Sequence, residues 1–201
     1  AQNLLLLASA VVVSFVIAEL LLAVFGFSEL KEDTPYRQRD DVFHHGFVPG
    51  SSGVSKSSEW AVGYRINSLG FRDREYGIPK PGNTFRILML GDSFTEGYGV
   101  EAGDSFSKQL EKMLNTGSSA GLKYEVVNGG VASYSPILEY LMLKGKGLAL
   151  KPDLVILNFD WSDPNDDYVY SRLAVFNGSD VVAVLPEGEK PKSFPARVRI
   201  F

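Results

Sequence analysis

Short apolar segments alternate with amphipathic ones through the middle of the chain, and this alternation is what most limits the possible fold. Apolar runs typical of buried β-strands occur at residues 86–90, 124–128 and 154–159. Helical patterns lie between them, at 105–114 and 135–143. This order and spacing predict a parallel sheet with helical crossovers, that is, a three-layer α/β domain. The third strand is almost entirely apolar, which predicts that both of its faces are covered.

The segments on either side of this pattern differ in composition. Residues 29–82 are polar and contain many prolines, glycines and serines, so we expect little regular structure there. Farther along, apolar segments at 173–176 and 181–185 flank the sequence Asn-Gly-Ser-Asp, which predicts a β-hairpin. The predicted divisions of the chain are a transmembrane anchor helix at 1–28, a polar linker at 29–82 and an α/β domain at 83–201.

A long apolar run extends from Leu4 to Phe27. About 20 apolar residues span a bilayer as a helix, so the run predicts a transmembrane anchor. A secretory signal peptide is the alternative, but its apolar region is usually only about 7–15 residues long and ends at a small-x-small cleavage site, which is missing here. Glu19 lies inside the run, where an acid is costly. It either reaches toward the interface or contacts a neighbouring transmembrane helix, so the expected partners are the lipid bilayer and other transmembrane subunits.

The first apolar strand ends in Gly91-Asp92-Ser93, a sequence suited to presenting a nucleophile. Gly91 lets the backbone turn without Cβ strain. Ser93 then follows the carboxyl end of a strand, where open α/β sheets bind their ligands, and its own N–H can help to bind an oxyanion. Thr95 stands where the second glycine of a Gly-x-Ser-x-Gly elbow would be, which excludes the α/β-hydrolase elbow.

Three sequence blocks give the chain a resemblance to the SGNH (GDSL) hydrolase family. The first is Gly-Asp-Ser at 91–93, and the second is Asn-Gly-Gly-Val-Ala-Ser-Tyr-Ser at 128–135. The third is Asn-Phe-Asp-Trp-Ser-Asp at 158–163, where the family reads Gly-x-Asn-Asp. The resemblance runs from Tyr64 to Asp167 and implies a flavodoxin-like, SGNH-type α/β fold with serine ester hydrolase ancestry.

The same resemblance assigns roles to individual residues. Ser93 takes the nucleophile position, and Gly130 matches the glycine whose N–H lies in the family's oxyanion hole. Ser162 takes the position of the family's asparagine donor, and Asp160 that of its glycine. A serine hydroxyl reaches less far than an amide, and the loss of one donor costs about 3–4 kcal/mol of barrier. The implied oxyanion hole is therefore weakened.

A base for Ser93 is not found where the family places it. The family's Asp-x-x-His lies near the C terminus, whereas this chain has no histidine after Ser93. His44 and His45 precede the nucleophile and either fold back over the site or are structural. Without a base, a serine hydroxyl is a poor nucleophile. The predicted strands are also too few for a family-like sheet, so the α/β domain is expected to be incomplete.

These observations leave two functions open. The first expectation is a non-catalytic, SGNH-hydrolase-like accessory subunit in a larger membrane complex, for example a respiratory or photosynthetic assembly. The alternative is a membrane-anchored serine esterase or acyl hydrolase whose Asp-x-x-His lies beyond residue 201. Either protein is expected in the inner membrane with its globular part on the periplasmic side, as in the exported, signal-anchored relatives that the resemblance implies.

Composition argues against several other classes of site. The formal net charge is −4 and no basic stripe is present, so nucleic acid is not an expected partner. Cysteine is absent, which excludes disulfides and thiolate metal sites. The acids Asp160, Asp163, Asp166 and Asp167 offer the oxygen ligands that calcium prefers, but EF-hand spacing is missing. No metal or other cofactor is therefore expected.

Overall fold

The computed structural model describes residues 2–24, 34–116 and 121–189 of the 201-residue chain. The chain separates into two compact units, Ala1–Asp33 and Thr34–Phe201. The elements in chain order are the strands and helices α1 (Gln2–Val24), β1 (Arg37–Asp40), β2 (His44–Phe47), β3 (Ser52–Lys56), β4 (Ala61–Arg65), β5 (Thr84–Gly91), α2 (Ser93–Glu96), α3 (Phe106–Thr116), β6 (Lys123–Gly130), α4 (Pro136–Met142), β7 (Leu154–Leu157), α5 (Asp163–Ser171), β8 (Ala174–Asn177) and β9 (Asp180–Val184).

The first unit contains the apolar helix α1. Within it, Gln2–Leu21 is long and apolar enough to cross a membrane, with a mean hydropathy of 2.6. A signal sequence near the N terminus meets the same test of length and composition. The predicted helix is confirmed as far as Val24, and residues 25–27 lie outside the described residues.

A three-stranded parallel sheet in the order β6-β5-β7 is the centre of the second unit. Side chains of a strand alternate between the two faces of a sheet. Ile87 and Met89 accordingly pack on the face with Leu110 of α3, while Leu88 and Leu90 pack on the other face with Leu138 of α4. The predicted α/β class and its parallel strands are therefore confirmed.

Two antiparallel hairpins, β1–β2 and β3–β4, occupy much of the segment between Thr34 and Gly82. The prediction of little regular structure there is wrong. Tyr36, Phe47 and Tyr64 are buried in the same core cluster as the sheet, and the rings of Tyr36 and Tyr64 stack with centroids 4.3 Å apart. A few aromatic side chains thus provide enough apolar area to pack on the core, although the composition of this segment is mainly polar.

Strand β7 lies at one edge of the sheet and is more exposed than the sequence predicts. Its Leu154 and Leu157 side chains are 45% and 47% exposed. Leu154 and Leu157 are three residues apart and therefore point to opposite faces, so the expectation that both faces are covered is wrong for the part of the chain that the structure describes.

The predicted hairpin after the third parallel strand is confirmed as β8–β9. Gly178 adopts a φ of 64° in its turn, a conformation that glycine takes without Cβ strain. An isolated parallel bridge joins Val184 of β9 to Phe43, next to β2. The hairpin therefore contacts the segment before the sheet.

Gly130 allows the end of β6 to approach α2 closely, which gives a testable consequence. A Cβ at this position would lie 2.2 Å from the Glu96 backbone nitrogen and 2.5 Å from the Thr95 carbonyl carbon. Because backbone atoms cannot move aside cheaply, we expect Gly130→Ala to lower the free energy of unfolding by about 1–3 kcal/mol or more. Gly103→Ala is the control, since a Cβ there meets nothing within 4 Å. Urea unfolding of both variants measures the difference, and equal stability would contradict the close approach.

Candidate functional site

Ser93 lies just beyond the carboxyl end of the central strand, where the backbone passes from β5 into α2. The Asp92 carboxylate accepts a hydrogen bond from the Phe94 N–H at 2.9 Å, which stabilises the turn. The Ser93 carbonyl accepts from the N–H groups of Gly97 and Tyr98, so α2 ends after one turn. Ser93 is half-buried, and none of the described residues hydrogen-bonds to its hydroxyl or its N–H. Both groups are available to a ligand.

The segment after β7 packs directly against this turn. The Asn158 N–H and side-chain amide both donate to the Leu90 carbonyl, at 2.9 and 3.0 Å. A Cβ on Gly91 would lie 2.1 Å from Thr95 Oγ1 and 3.2 Å from Asn158 Cβ, so only glycine fits between them. The third sequence block is thereby held next to the first.

The other two predicted site residues already use their donors within the protein. Gly130 pairs with Gly91 in the sheet, and its N–H donates to Asn128 Oδ1 at 3.0 Å. The Ser162 hydroxyl donates to Asp160 Oδ1 at 2.8 Å. All three predicted residues follow or end strands at the same edge of the sheet, but only Ser93 has unoccupied donors. The roles of Gly130 and Ser162 in an oxyanion hole stay predictions.

A different backbone N–H, that of Ser133, is open in the loop after β6. Ser133 has a φ of 67°, which is uncommon for a residue other than glycine. The carbonyl of the peptide bond before it, that of Ala132, lies 2.8 Å from His45 Nε2, and the Glu96 carboxylate accepts the N–H of the preceding peptide, that of Ala132, at 2.6 Å. The Ser133 N–H itself has no acceptor among the described residues. Sequence reasoning missed this residue, since only its backbone conformation marks it.

Glu96, at the end of α2, joins this loop to the hairpins. Its carboxylate is fully buried and accepts hydrogen bonds from the Arg37 guanidinium and, at 2.6 Å, from the Tyr64 hydroxyl, besides the Ala132 N–H. Burial and the neighbouring Glu96 carboxylate raise the pKa of Tyr64, so Tyr64 remains a donor. Hydrogen bonds to a buried carboxylate are among the stronger ones in proteins. The network therefore fixes the position of α2, and with it that of Ser93.

The two histidines lie together beside the loop that contains Ser133. Their Nδ1 atoms are 2.8 Å apart, and His45 Nε2 contacts the Ala132 carbonyl. A carbonyl can only accept, so His45 donates from Nε2, and its Nδ1 accepts the His44 Nδ1 proton. Burial lowers the pKa of both rings. The pair thus holds the Ala132 backbone, and neither ring hydrogen-bonds to the Ser93 hydroxyl.

Carboxylates crowd the same edge of the sheet. Asp160 and Asp92 influence each other's ionisation. Burial and the Asp160 carboxylate raise the pKa of Asp92, while hydrogen bonds from Ser162 lower that of Asp160. Asp163 is buried and accepts the Asp160 N–H at 2.9 Å. We call the group formed by Asp92, Asp160, Asp163, Asp167 and Glu139 the acidic cluster.

Glu139 of α4 is the least satisfied member of the acidic cluster. It is 0% exposed, and neither of its carboxyl oxygens has a hydrogen-bond partner. Burial, together with the negative charges of the four aspartates, raises its pKa to about 8. Glu139 is therefore protonated at neutral pH. Nothing in the amino-acid sequence distinguishes it from an ordinary helix glutamate, because its burial depends on how α4 packs.

The described residues provide a nucleophile, Ser93, and two backbone N–H groups without acceptors. None of them is placed as a base that hydrogen-bonds to the Ser93 hydroxyl. In that part of the chain, no group of three or more histidine, aspartate or glutamate side chains is arranged to hold a metal ion.

Comparison with known proteins finds a partial structural similarity. The SGNH-hydrolase family esterase AlinE4 aligns over 46% of this chain and 46% of its own length, at 25% sequence identity and a TM-score of 0.33. An aspartate-to-alanine mutant of the esterase AlinE4 aligns over 45% of each chain with the same identity and TM-score. The aligned part is thus less than half of either protein. No protein-family model matches the chain, and no curated protein matches it.

The raised pKa of Glu139 predicts a stability that depends on pH. In the unfolded chain Glu139 ionises at its ordinary pKa, whereas in the folded protein it keeps its proton up to about pH 8. Since the folded state binds the extra proton, the free energy of unfolding should fall as pH rises from about 5 to 8. We expect Glu139→Gln to flatten this dependence and to stabilise the protein at pH 9 by about 1–3 kcal/mol. Denaturant titrations between pH 5 and 9 measure it, with Glu59→Gln on an exposed turn as the control. A wild-type slope retained in Glu139→Gln would contradict the assignment.

Proposed function

We propose that the unit beginning at Thr34 contains the nucleophile half of an SGNH-type serine hydrolase site that acts on acyl esters. One observation carries the proposal: Ser93 lies at the carboxyl edge of a parallel sheet, on a one-turn helix, with its hydroxyl and its N–H both unoccupied. This is the edge at which open α/β sheets bind ligands. In the proposed reaction the Ser93 oxygen forms a bond to the ester carbonyl carbon, and the alcohol leaves.

Two backbone amides are proposed as the oxyanion donors, those of Ser93 and Ser133. A trans peptide places C=O and N–H on opposite sides of its plane. Because His45 holds the Ala132 carbonyl, the Ser133 N–H points away from the histidines. Glu96 holds the preceding N–H, so the peptide has little freedom to rotate. Fixed donors of this kind stabilise a tetrahedral intermediate without reorganisation.

The reaction also needs a base that removes the Ser93 proton and returns it to the leaving alcohol. No described residue hydrogen-bonds to the Ser93 hydroxyl. Base, nucleophile and oxyanion donors act as a unit, so the absence of one removes nearly all of the catalysis. We therefore expect the 201-residue chain by itself to hydrolyse esters no faster than background.

A second candidate function is that of an accessory subunit of a membrane complex, in which α1 binds other transmembrane helices. Glu19 supports it, because it is the only ionisable residue in α1 and its side chain is exposed on the helix surface. An acid at membrane depth normally has a partner there. We place the protein in the inner membrane, with the unit beginning at Thr34 on the periplasmic side.

Chemical rescue tests the role of Ser93. With imidazole added as an external base, a fluorophosphonate probe should form a covalent bond to Ser93 as fluoride leaves, and peptide mass spectrometry should locate the label there. Ser93→Ala should abolish labelling, whereas Ser162→Ala should retain it, because the Ser162 hydroxyl donates to Asp160. Labelling of other serines at the same rate as Ser93 would contradict the proposal.

The accessory role is tested in the membrane. If Glu19 donates or accepts a hydrogen bond between helices, Glu19→Leu should weaken association by about 1–2 kcal/mol. Co-purification of membrane partners with the wild-type chain and with the variant measures this, and Ser14→Leu, five residues before Glu19, is the matched control. Replacement of residues 4–27 by a leucine-rich span should abolish co-purification. If partners remain bound to both altered chains, α1 is only a membrane tether and the accessory role is contradicted.

A further inference from the structure

Exposed aromatic side chains lie beside the turn that contains Ser93. Phe94 follows Ser93 directly and is 70% exposed, and Tyr98 is 46% exposed. The Tyr98 N–H donates a hydrogen bond to the Ser93 carbonyl at 3.0 Å, so the backbones of these two residues are in direct contact. Aromatic rings bury a large apolar area when another group covers them. Apolar ring surface is therefore open next to the candidate nucleophile.

Tyr98 is joined there by Trp60, from the turn between β3 and β4. The two rings have centroids 5.2 Å apart and an interplanar angle of 85°. Gly99 follows Tyr98 with a φ of 82°, and a Cβ at this position would lie only 3.3 Å from atoms of the indole. Glycine thus lets the Trp60 ring approach the backbone beside Tyr98. We call the pair of Trp60 and Tyr98 the aromatic corner.

A buried arginine holds the two sides of the aromatic corner together. The guanidinium of Arg72, a residue that is 1% exposed, donates to the Val100 carbonyl at 2.7 Å and to the Gly63 carbonyl of β4 at 3.1 Å. It thereby joins the segment that contains Tyr98 to the hairpin that carries Trp60. The backbones beneath the two rings are thus fixed before any ligand binds, which lowers the entropic cost of binding.

The angle between the two rings indicates which kind of group suits them. Aromatic pairs prefer edge-to-face or offset-stacked arrangements. A third, flat ring in a right-angled corner can stack on one ring while its edge meets the face of the other. A saturated group of the same size gains the apolar contact but not this geometry. The aromatic corner therefore favours a planar aromatic ring.

We infer that the aromatic corner binds the ring of an aromatic ester, so that the substrate class of the site is esters of aromatic acids or of phenols. This inference rests on the proposed ester hydrolysis at Ser93. The hydrogen bond from Tyr98 to Ser93 links the corner to the nucleophile. In an aromatic ester the ring is attached to the carbonyl carbon directly or through one oxygen, so a bound ring restricts where the carbonyl can lie. Binding of the ring thus orients the ester for attack by Ser93.

Binding is measured without turnover, at constant detergent concentration, on the full chain carrying Trp161→Phe, so that Trp60 is the only tryptophan. The probes are methyl benzoate and phenyl acetate, each paired with its saturated counterpart, methyl cyclohexanecarboxylate or cyclohexyl acetate, which is at least as apolar. We expect saturable changes in Trp60 fluorescence, with an aromatic ester bound about threefold to tenfold tighter than its counterpart. Tyr98→Leu, which keeps apolar bulk, should remove this preference. Tyr140→Leu, at a tyrosine of α4 that is 43% exposed, should retain it.

The outcomes separate this inference from the proposed function. Equal binding within both pairs of esters, or a preference that survives Tyr98→Leu, would overturn the aromatic subsite. Quenching of Trp60 by vesicles of brominated phosphatidylcholine that methyl benzoate does not relieve would overturn it in favour of a lipid-facing surface.

The link to the nucleophile is tested by competition. The preferred aromatic ester should slow fluorophosphonate labelling of Ser93, and binding that leaves the labelling rate unaltered would overturn the assignment of the aromatic corner to the substrate site. Aromatic binding together with failed labelling would leave the subsite standing and remove the hydrolase. Labelling without any aromatic preference would do the reverse.

Discussion

The buried carboxylate of Glu96 is the interaction on which the arrangement of the site depends. It accepts hydrogen bonds from Arg37 and Tyr64 of the two hairpins and from the Ala132 N–H of the loop after β6. Burying an unpaired carboxylate costs several kcal/mol or more, and three charge-assisted hydrogen bonds offset this cost. Since Glu96 ends the one-turn helix that begins at Ser93, the hairpins, the loop and the nucleophile share one rigid connection. Removal of Arg37, the one cation among these three partners, would leave the charge of the carboxylate uncompensated in the core.

The parts of the fold that local patterns determine were predictable. Apolar runs bounded by turn residues predict β5, β6 and β7, and an Asn-Gly turn predicts the β8–β9 hairpin. The β1–β2 and β3–β4 hairpins were not predictable in this way, because Tyr36, Phe47 and Tyr64 are buried by contacts with distant parts of the chain. Strands β1 and β3 are polar and largely exposed, so no alternation of apolar residues marks them, and β4 alternates over only five residues. For strand β7 the error was the reverse, because more burial was predicted than the structure has. An apolar run predicts a strand but does not show which elements cover its faces.

The same distinction applies to the candidate site. The place of Ser93 follows from a glycine-containing turn after a strand, a local feature. Whether each donor is free or occupied cannot be predicted from such a local feature, because it depends on which acceptor lies within reach. The Gly130 N–H donates to Asn128 and the Ser162 hydroxyl donates to Asp160, whereas the Ser133 N–H has no acceptor among the described residues. Ser133 is marked only by its positive φ, a conformation that its neighbours impose.

Hydrogen-bond donors that favour negative charge and carboxylates that oppose it lie at the same carboxyl edge of the sheet. Their balance determines what can react there. The open amides of Ser93 and Ser133 favour negative charge, whereas the carboxylate of Asp92, the residue before Ser93, opposes it. Burial raises the pKa of Asp92 and, to about 8, that of Glu139, so Glu139 carries no charge at neutral pH. The proton that Glu139 retains lowers the negative potential at this edge of the sheet.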